Sequence, residues 1–116
     1  MQALQRSDLH QISEAATGHY TNLPLGLVND HVIRISIMTE PFYWHYHPNS
    51  DESFLCIEGI LVIDLEDKSI ELHPGQLFTI PKNVLHKTRP KEGRSVNLTF
   101  ELEGIETVRQ EIKNES

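Results

Sequence analysis

The sequence is short of several things, and each shortage narrows what the chain can be. It holds one cysteine, Cys56, so an intrachain disulfide is excluded and a reducing compartment is expected. It has no run of basic residues, and its formal net charge is −7. Nucleic acid and an anionic membrane are therefore excluded as expected partners, since both select basic surfaces. No apolar stretch approaches the length of a membrane-spanning helix. Residues 1–20 are polar throughout and lack the apolar centre of a secretory leader, so a cytoplasmic location is expected.

What is present fits one globular domain. A chain of 116 residues with 38% hydrophobic side chains can bury a core without staples. Ser7 or Asp8 is placed to cap a short N-terminal helix running to Ala16, with Leu9, Ile12 and Ala16 on one face and Gly18 to stop it. From there the pattern alternates. Leu23 to Val28 reads as an extended edge segment because of Pro24. Val32 to Met38 reads as a strand with one buried face, Ile33, Ile35 and Ile37 opposing Arg34 and Ser36. Further strands are predicted over 42–47, 52–57, 61–65, 70–72, 77–80, 83–88 and 96–102, separated by turn signals such as Asp67-Lys68 and Pro74-Gly75. Many short strands between regular turns predict an all-β sandwich or barrel. The expected organisation is an N-terminal helix and arm over 1–30, a barrel over 31–102 and a polar tail over 103–116, helical or frayed.

The chemistry concentrates in His45-Tyr46-His47-Pro48-Asn49-Ser50-Asp51-Glu52. In a strand, side chains at i and i+2 share a face, so His45 and His47 point together while Trp44 and Tyr46 point away. Pro48 to Asp51 reads as a turn, which returns the Glu52 carboxylate towards the two imidazoles. Two imidazoles and a carboxylate form a metal-ligand set.

His45, His47, Glu52 and Gly59 fit the His-x-His, Glu and Gly spacing of the first cupin motif, and Gly75, Pro81 and His86 fit the second. The chain thus resembles the cupin family over roughly residues 32–101. Three positions depart from the pattern: Thr39 and Asn83 stand where the family has glycine, and Pro90 where it has asparagine. Asparagine tolerates the left-handed backbone that a glycine would supply at position 83. The resemblance implies a double-stranded β-helix, the jelly-roll barrel. It also implies His45, His47, Glu52 and His86 as ligands of a divalent metal such as Fe, Mn, Ni, Cu or Zn. His73 is expected to be a solvated turn residue.

Around that set, Tyr43 shares the inward face of His45 and is a candidate proton donor, with a core aromatic as the plainer alternative. Phe54, Cys56, Phe78 and Phe100 are candidate pocket-wall residues. Cys56 reads as a small core hydrophobe before it reads as a nucleophile. Trp44 and Tyr46 form an expected exposed aromatic patch, which suits a dimer interface or cover by the N-terminal segment, and a homodimer is predicted. Two functions fit: a metal-dependent enzyme acting on a small molecule, dioxygenase-like or isomerase-like, and a non-catalytic small-ligand or sugar-binding module.

Overall fold

The computed structural model describes residues 4–112. One helix and ten strands follow in order: α1 (Leu9–Ala15), β1 (Tyr20–Val28), β2 (His31–Met38), β3 (His45–Tyr46), β4 (Glu52–Glu58), β5 (Leu61–Leu65), β6 (Ser69–Leu72), β7 (Leu77–Ile80), β8 (His86–Pro90), β9 (Ser95–Leu102) and β10 (Val108–Arg109). They form two five-stranded sheets, ordered β1-β2-β9-β4-β7 and β10-β3-β8-β5-β6, and every strand pairing is antiparallel. The fold is the all-β jelly-roll barrel with a short N-terminal helix that the sequence predicts.

The helix starts where its capping residue stands. Asp8 is the N-cap, and its Oδ1 accepts a hydrogen bond from the Gln11 backbone N–H at 3.1 Å. Leu9, Ile12 and Ala16 pack on Ile35, Ile37 and Val96. At seven residues the helix is too short to stand alone in water, so this packing supplies most of its stability.

That packing corrects the reading of β2. One buried face was expected, that of the isoleucines. Both faces are covered: the helix lies over Ile35 and Ile37, while Arg34 and Ser36 line the barrel cavity. The apolar stripe therefore faces the helix, and the polar stripe faces the interior. The same inversion runs through β9, where Asn97, Thr99 and Glu101 are buried.

A separate apolar core fills the rest of the barrel. Met38, Phe54, Cys56, Leu61, Ile63, Leu72 and Ile80 form it, with Phe42 and Phe78 among the side chains packed against it. Two backbone positions need special residues. Gly59 has φ +75°, and a Cβ there would strike the Arg94 carbonyl oxygen. Asn83 takes φ +70°, as expected of an asparagine in a glycine's place, and its N–H donates to the His47 carbonyl at 2.9 Å.

The two ends of the chain join the sheets. β1 is an edge strand with a register shift between Pro24 and Gly26. The described part of the tail is neither helical nor frayed: β10 pairs with β3, Val108 opposite Tyr46 and Arg109 opposite His45. Residues 113–116 of the expected tail, and 1–3 of the expected arm, lie outside the described residues. Trp44 is buried, with Lys87 Nζ 5.4 Å from its ring centre, and Tyr46 is half-buried. The exposed aromatic pair that motivated a homodimer is not formed.

Candidate metal centre

Four side chains converge at one end of the barrel. His45 comes from β3, His47 from the residue after it, Glu52 from the first position of β4 and His86 from the first position of β8. His45 and His86 are directly opposed across the β3–β8 pair. Their ring centres lie 4.3 Å apart, with His45–His47 at 4.9 Å and His47–His86 at 5.5 Å. One potential ligand atom from each of the four lies within 4.8 Å of the others, and all four residues are buried.

The three imidazoles are held in the same way. Each donates Nδ1–H to a backbone carbonyl: His45 to Tyr43 at 2.7 Å, His86 to Val84 at 2.8 Å and His47 to Glu106 at 2.9 Å. A carbonyl can only accept, so the proton must sit on Nδ1 and each Nε2 presents a lone pair. Outer hydrogen bonds of this kind fix the tautomer and orientation of metal-ligating histidines. The inner atoms are poorly served by protein. Glu52 Oε1 stands 3.2 Å from His47 Nε2 and 3.4 Å from His86 Nε2, yet all three atoms are buried without a hydrogen-bond partner. Buried polar atoms are nearly always partnered, so converging lone pairs with none fit a cation. This group could bind a metal.

Electrostatics agree with that donor set. Burial, and next the neighbouring His86, push His45 down to about 4, so its imidazole is neutral at neutral pH. Burial works against the charged forms of His47 and Glu52, but the close approach of their opposite charges prevails. His47 is raised and Glu52 is held well below the usual carboxylate range. Glu101 goes the other way. Burial, then its hydrogen bond to Glu52 and the charge of that carboxylate, raise it to about 8.

The cluster opens into a cavity of about 210 Å³. His45, His47, Phe42 and Thr88 line it from around β3 and β8, and Glu52 and Phe54 of β4 line it from the other sheet together with Tyr20, Asn22, Arg34, Ser36, Thr99 and Glu101, while Ile105 and Thr107 contribute from the tail. Phe54 is the expected wall residue found there. Three others are elsewhere. Cys56, further along β4, and Phe78, directly opposite Phe54 on the edge strand β7, go with the apolar core and are not among the cavity-lining residues. Phe100 is one residue out of phase with Thr99 and Glu101, and so lies on the outer face of β9. Tyr43 is not among the cavity-lining residues; its ring stacks on Phe42 at 4.2 Å and has Arg109 4.8 Å from its centre. The expected inward turn of Tyr43 assumed a strand from residue 42, but regular pairing begins only at His45. The plainer reading of Tyr43, a packed aromatic, is the one the geometry supports.

Tail residues and a polar wall were not foreseen. The tail is fastened by Asn49, which donates Nδ2–H to the Gly104 carbonyl at 3.0 Å and accepts from the Glu106 N–H at 2.8 Å. That clasp holds the Glu106 carbonyl against His47. The polar wall did leave a signal, the inward phase shared by Asn22, Arg34, Ser36, Thr99 and Glu101. It was masked because an isoleucine stripe on the same strand normally marks the interior.

Comparison with known proteins places this architecture. The sequence pattern of the Cupin domain family matches residues 37–99, which include all four converging side chains. The chain belongs to the cupin domain family. This cupin is 38% identical over 102 residues to the uncharacterised protein YdbB of Bacillus subtilis, covering 87% of this chain and 89% of the relative. A crystal structure of a cupin-2 domain protein from Shewanella frigidimarina superimposes with a TM-score of 0.77 at 26% identity, covering 83% of this cupin and 93% of the other chain. Similarity to the quercetin 2,3-dioxygenase of B. subtilis is local: 36% identity over 45 residues, 39% of this chain and 13% of that enzyme.

Proposed function

We propose that this cupin is a metal-dependent enzyme acting on a small molecule. The observation that carries the reading is the convergence of His45, His47, Glu52 and His86 beside a cavity, with His47 Nε2, His86 Nε2 and Glu52 Oε1 buried and unpartnered. Three imidazoles and one carboxylate suit a first-row divalent metal such as Fe, Mn, Ni, Cu or Zn. Such an ion, with four protein ligands, supplies Lewis-acid or redox chemistry at its open positions.

The chain's own residues do the rest. The backbone carbonyls of Tyr43, Glu106 and Val84 hold the three imidazoles in one tautomer, so the donor set needs no rearrangement when loaded. Phe42 and Phe54 give the cavity a partly apolar lining that limits water around the substrate. Glu101 supports the isomerase-like branch over the dioxygenase-like one. Its carboxyl lines the cavity beside Glu52, where it can give a proton to a bound substrate or take one from it.

Elemental analysis and turnover test the reading. The purified protein is expected to carry one divalent metal per chain. Candidate small substrates in deuterated water are expected to incorporate deuterium at a carbon position without oxygen uptake. Oxygen consumption coupled to substrate loss would replace the isomerase-like branch with the dioxygenase-like one. Tight ligand binding with no turnover would make the protein a binding module instead.

A further inference from the structure

The wall facing the metal cluster is built as carefully as the cluster itself. Asn22, Arg34, Ser36, Thr99 and Glu101 all turn into the cavity from β1, β2 and β9. Thr99 is 3% exposed, and its Oγ1 is buried without a hydrogen-bond partner. That hydroxyl lies beside Glu101 and can turn towards a ligand atom that enters the cavity. Arg34 is loosely engaged. Its Nη1 is 3.5 Å from Asn22 Oδ1 and its Nε is 3.7 Å from Glu101 Oε2, both long for a guanidinium with five donors to place.

Charge selects the ligand further. With a divalent ion in the cluster, the cation and Arg34 together outweigh Glu52 and Glu101, even with both carboxylates ionised. The loaded cavity is therefore net positive and favours an anion. A planar carboxylate matches the guanidinium fork, whereas the hydroxyls and amide of Thr99, Ser36 and Asn22 match ligand hydroxyl groups. The cavity volume of about 210 Å³ lies below the roughly 300–1,000 Å³ of pockets that take drug-sized molecules.

We propose that this wall is a recognition subsite for a small hydroxylated carboxylate, with its carboxylate on Arg34 and its hydroxyls on Thr99, Ser36 and Asn22. The inference rests on the metal-dependent reading above, because the ion supplies part of the positive charge.

Calorimetric titration of the metal-loaded protein with glycerate, and with glyceramide as its uncharged counterpart, tests it. Glycerate is expected to bind at least about tenfold more tightly than the amide. Arg34→Gln is expected to abolish that preference while metal stoichiometry stays unchanged. Thr99→Val is expected to weaken glycerate about three- to tenfold without removing the preference. Equal affinity for the two probes overturns the proposal, as does a preference that survives Arg34→Gln, or no binding of either probe at millimolar concentration with metal in place. If Arg34→Gln does not fold by thermal melting, Arg34→Lys takes its place; it keeps the charge, loses the fork, and is expected to lower glycerate affinity and leave the amide unaffected. A wild-type protein that cannot be loaded with metal counts against the metal centre, a result distinct from each of these.

Discussion

The two sides of the cavity are built on opposite plans. The imidazole side comes from short elements, with Glu52 reaching it from β4 of the other sheet: β3 pairs over two residues, and His47 lies just past its end. Precision there comes from hydrogen bonds, each imidazole being tied to a main-chain carbonyl within 2.9 Å. The facing side comes from the long strands β1, β2 and β9, registered against one another over most of their length. Its backbone is fixed by the sheet and by the helix behind it, while Arg34 keeps long, adjustable contacts. On the function proposed here, a metal would demand fixed donors and a substrate groups that can still respond, and the two would be met by different means.

Four changes would break or sharpen that contrast. The largest effect is expected on the ligand side. His86→Ala or Glu52→Ala should lower bound metal at least about tenfold by elemental analysis, since each removes a donor from a four-member set. Retained stoichiometry in both variants would show that the cluster is not the metal site. Next comes the packing behind the facing side. Ile35→Ala leaves a hole under α1 and should cost about 2–5 kcal/mol of stability in denaturant unfolding, with metal content unchanged in the folded protein. A loss of metal there would mean that the two sides are not independent.

Asn49→Ala is subtler. It releases the tail and with it the Glu106 carbonyl that orients His47, so metal affinity should fall about tenfold, by roughly 1.4 kcal/mol, and amide exchange over residues 104–110 should quicken. Faster exchange with unaltered affinity would reduce the tail to a cover.

The smallest effect belongs to an ion pair away from the cavity. Asp64 accepts from Ser69 Oγ at 2.6 Å and Arg89 Nε at 2.9 Å; burial resists, but these bonds hold its carboxyl below the ordinary 3.8. A depressed folded pKa means stability that is present above the unfolded value and lost as pH falls through the folded one. Wild type should therefore lose a part of its stability below about pH 4 that Asp64→Asn never has. Because Arg89 is over a third exposed, that part should not exceed about 1 kcal/mol. Parallel melting curves for the two proteins at pH 3 and pH 7 would argue against the pair.

The ligand side was legible because its information is local. His45, His47 and Glu52 fall within eight residues, and the strand period aligns the two imidazoles before any tertiary contact is known. His86 followed from the family spacing, not from local physics. The facing side was hidden for a physical reason. Alternation shows that β2 has two unlike faces but not which one meets the interior, and a seven-residue helix on the outside decides it. Phe100 was misplaced by the same rule, since a single-residue change of phase puts it outside. The tail was harder still. Nothing around Glu106 announces a role, because what it contributes to His47 is a backbone carbonyl, and every residue has one.

That carbonyl has a consequence for the order of manufacture. The histidine it orients is synthesised 59 residues before it. Chains fold as they emerge, from the N-terminal end onward. A growing polypeptide therefore displays all four ligand residues before it owns the peptide unit that aims one of them. Metal that arrives during translation meets an unfinished donor set, and the finished one forms only when residues 104–110 close over β3. On the metal-dependent reading proposed above, an ion that needs all four side chains aimed finds them so only after residues 104–110 are in place.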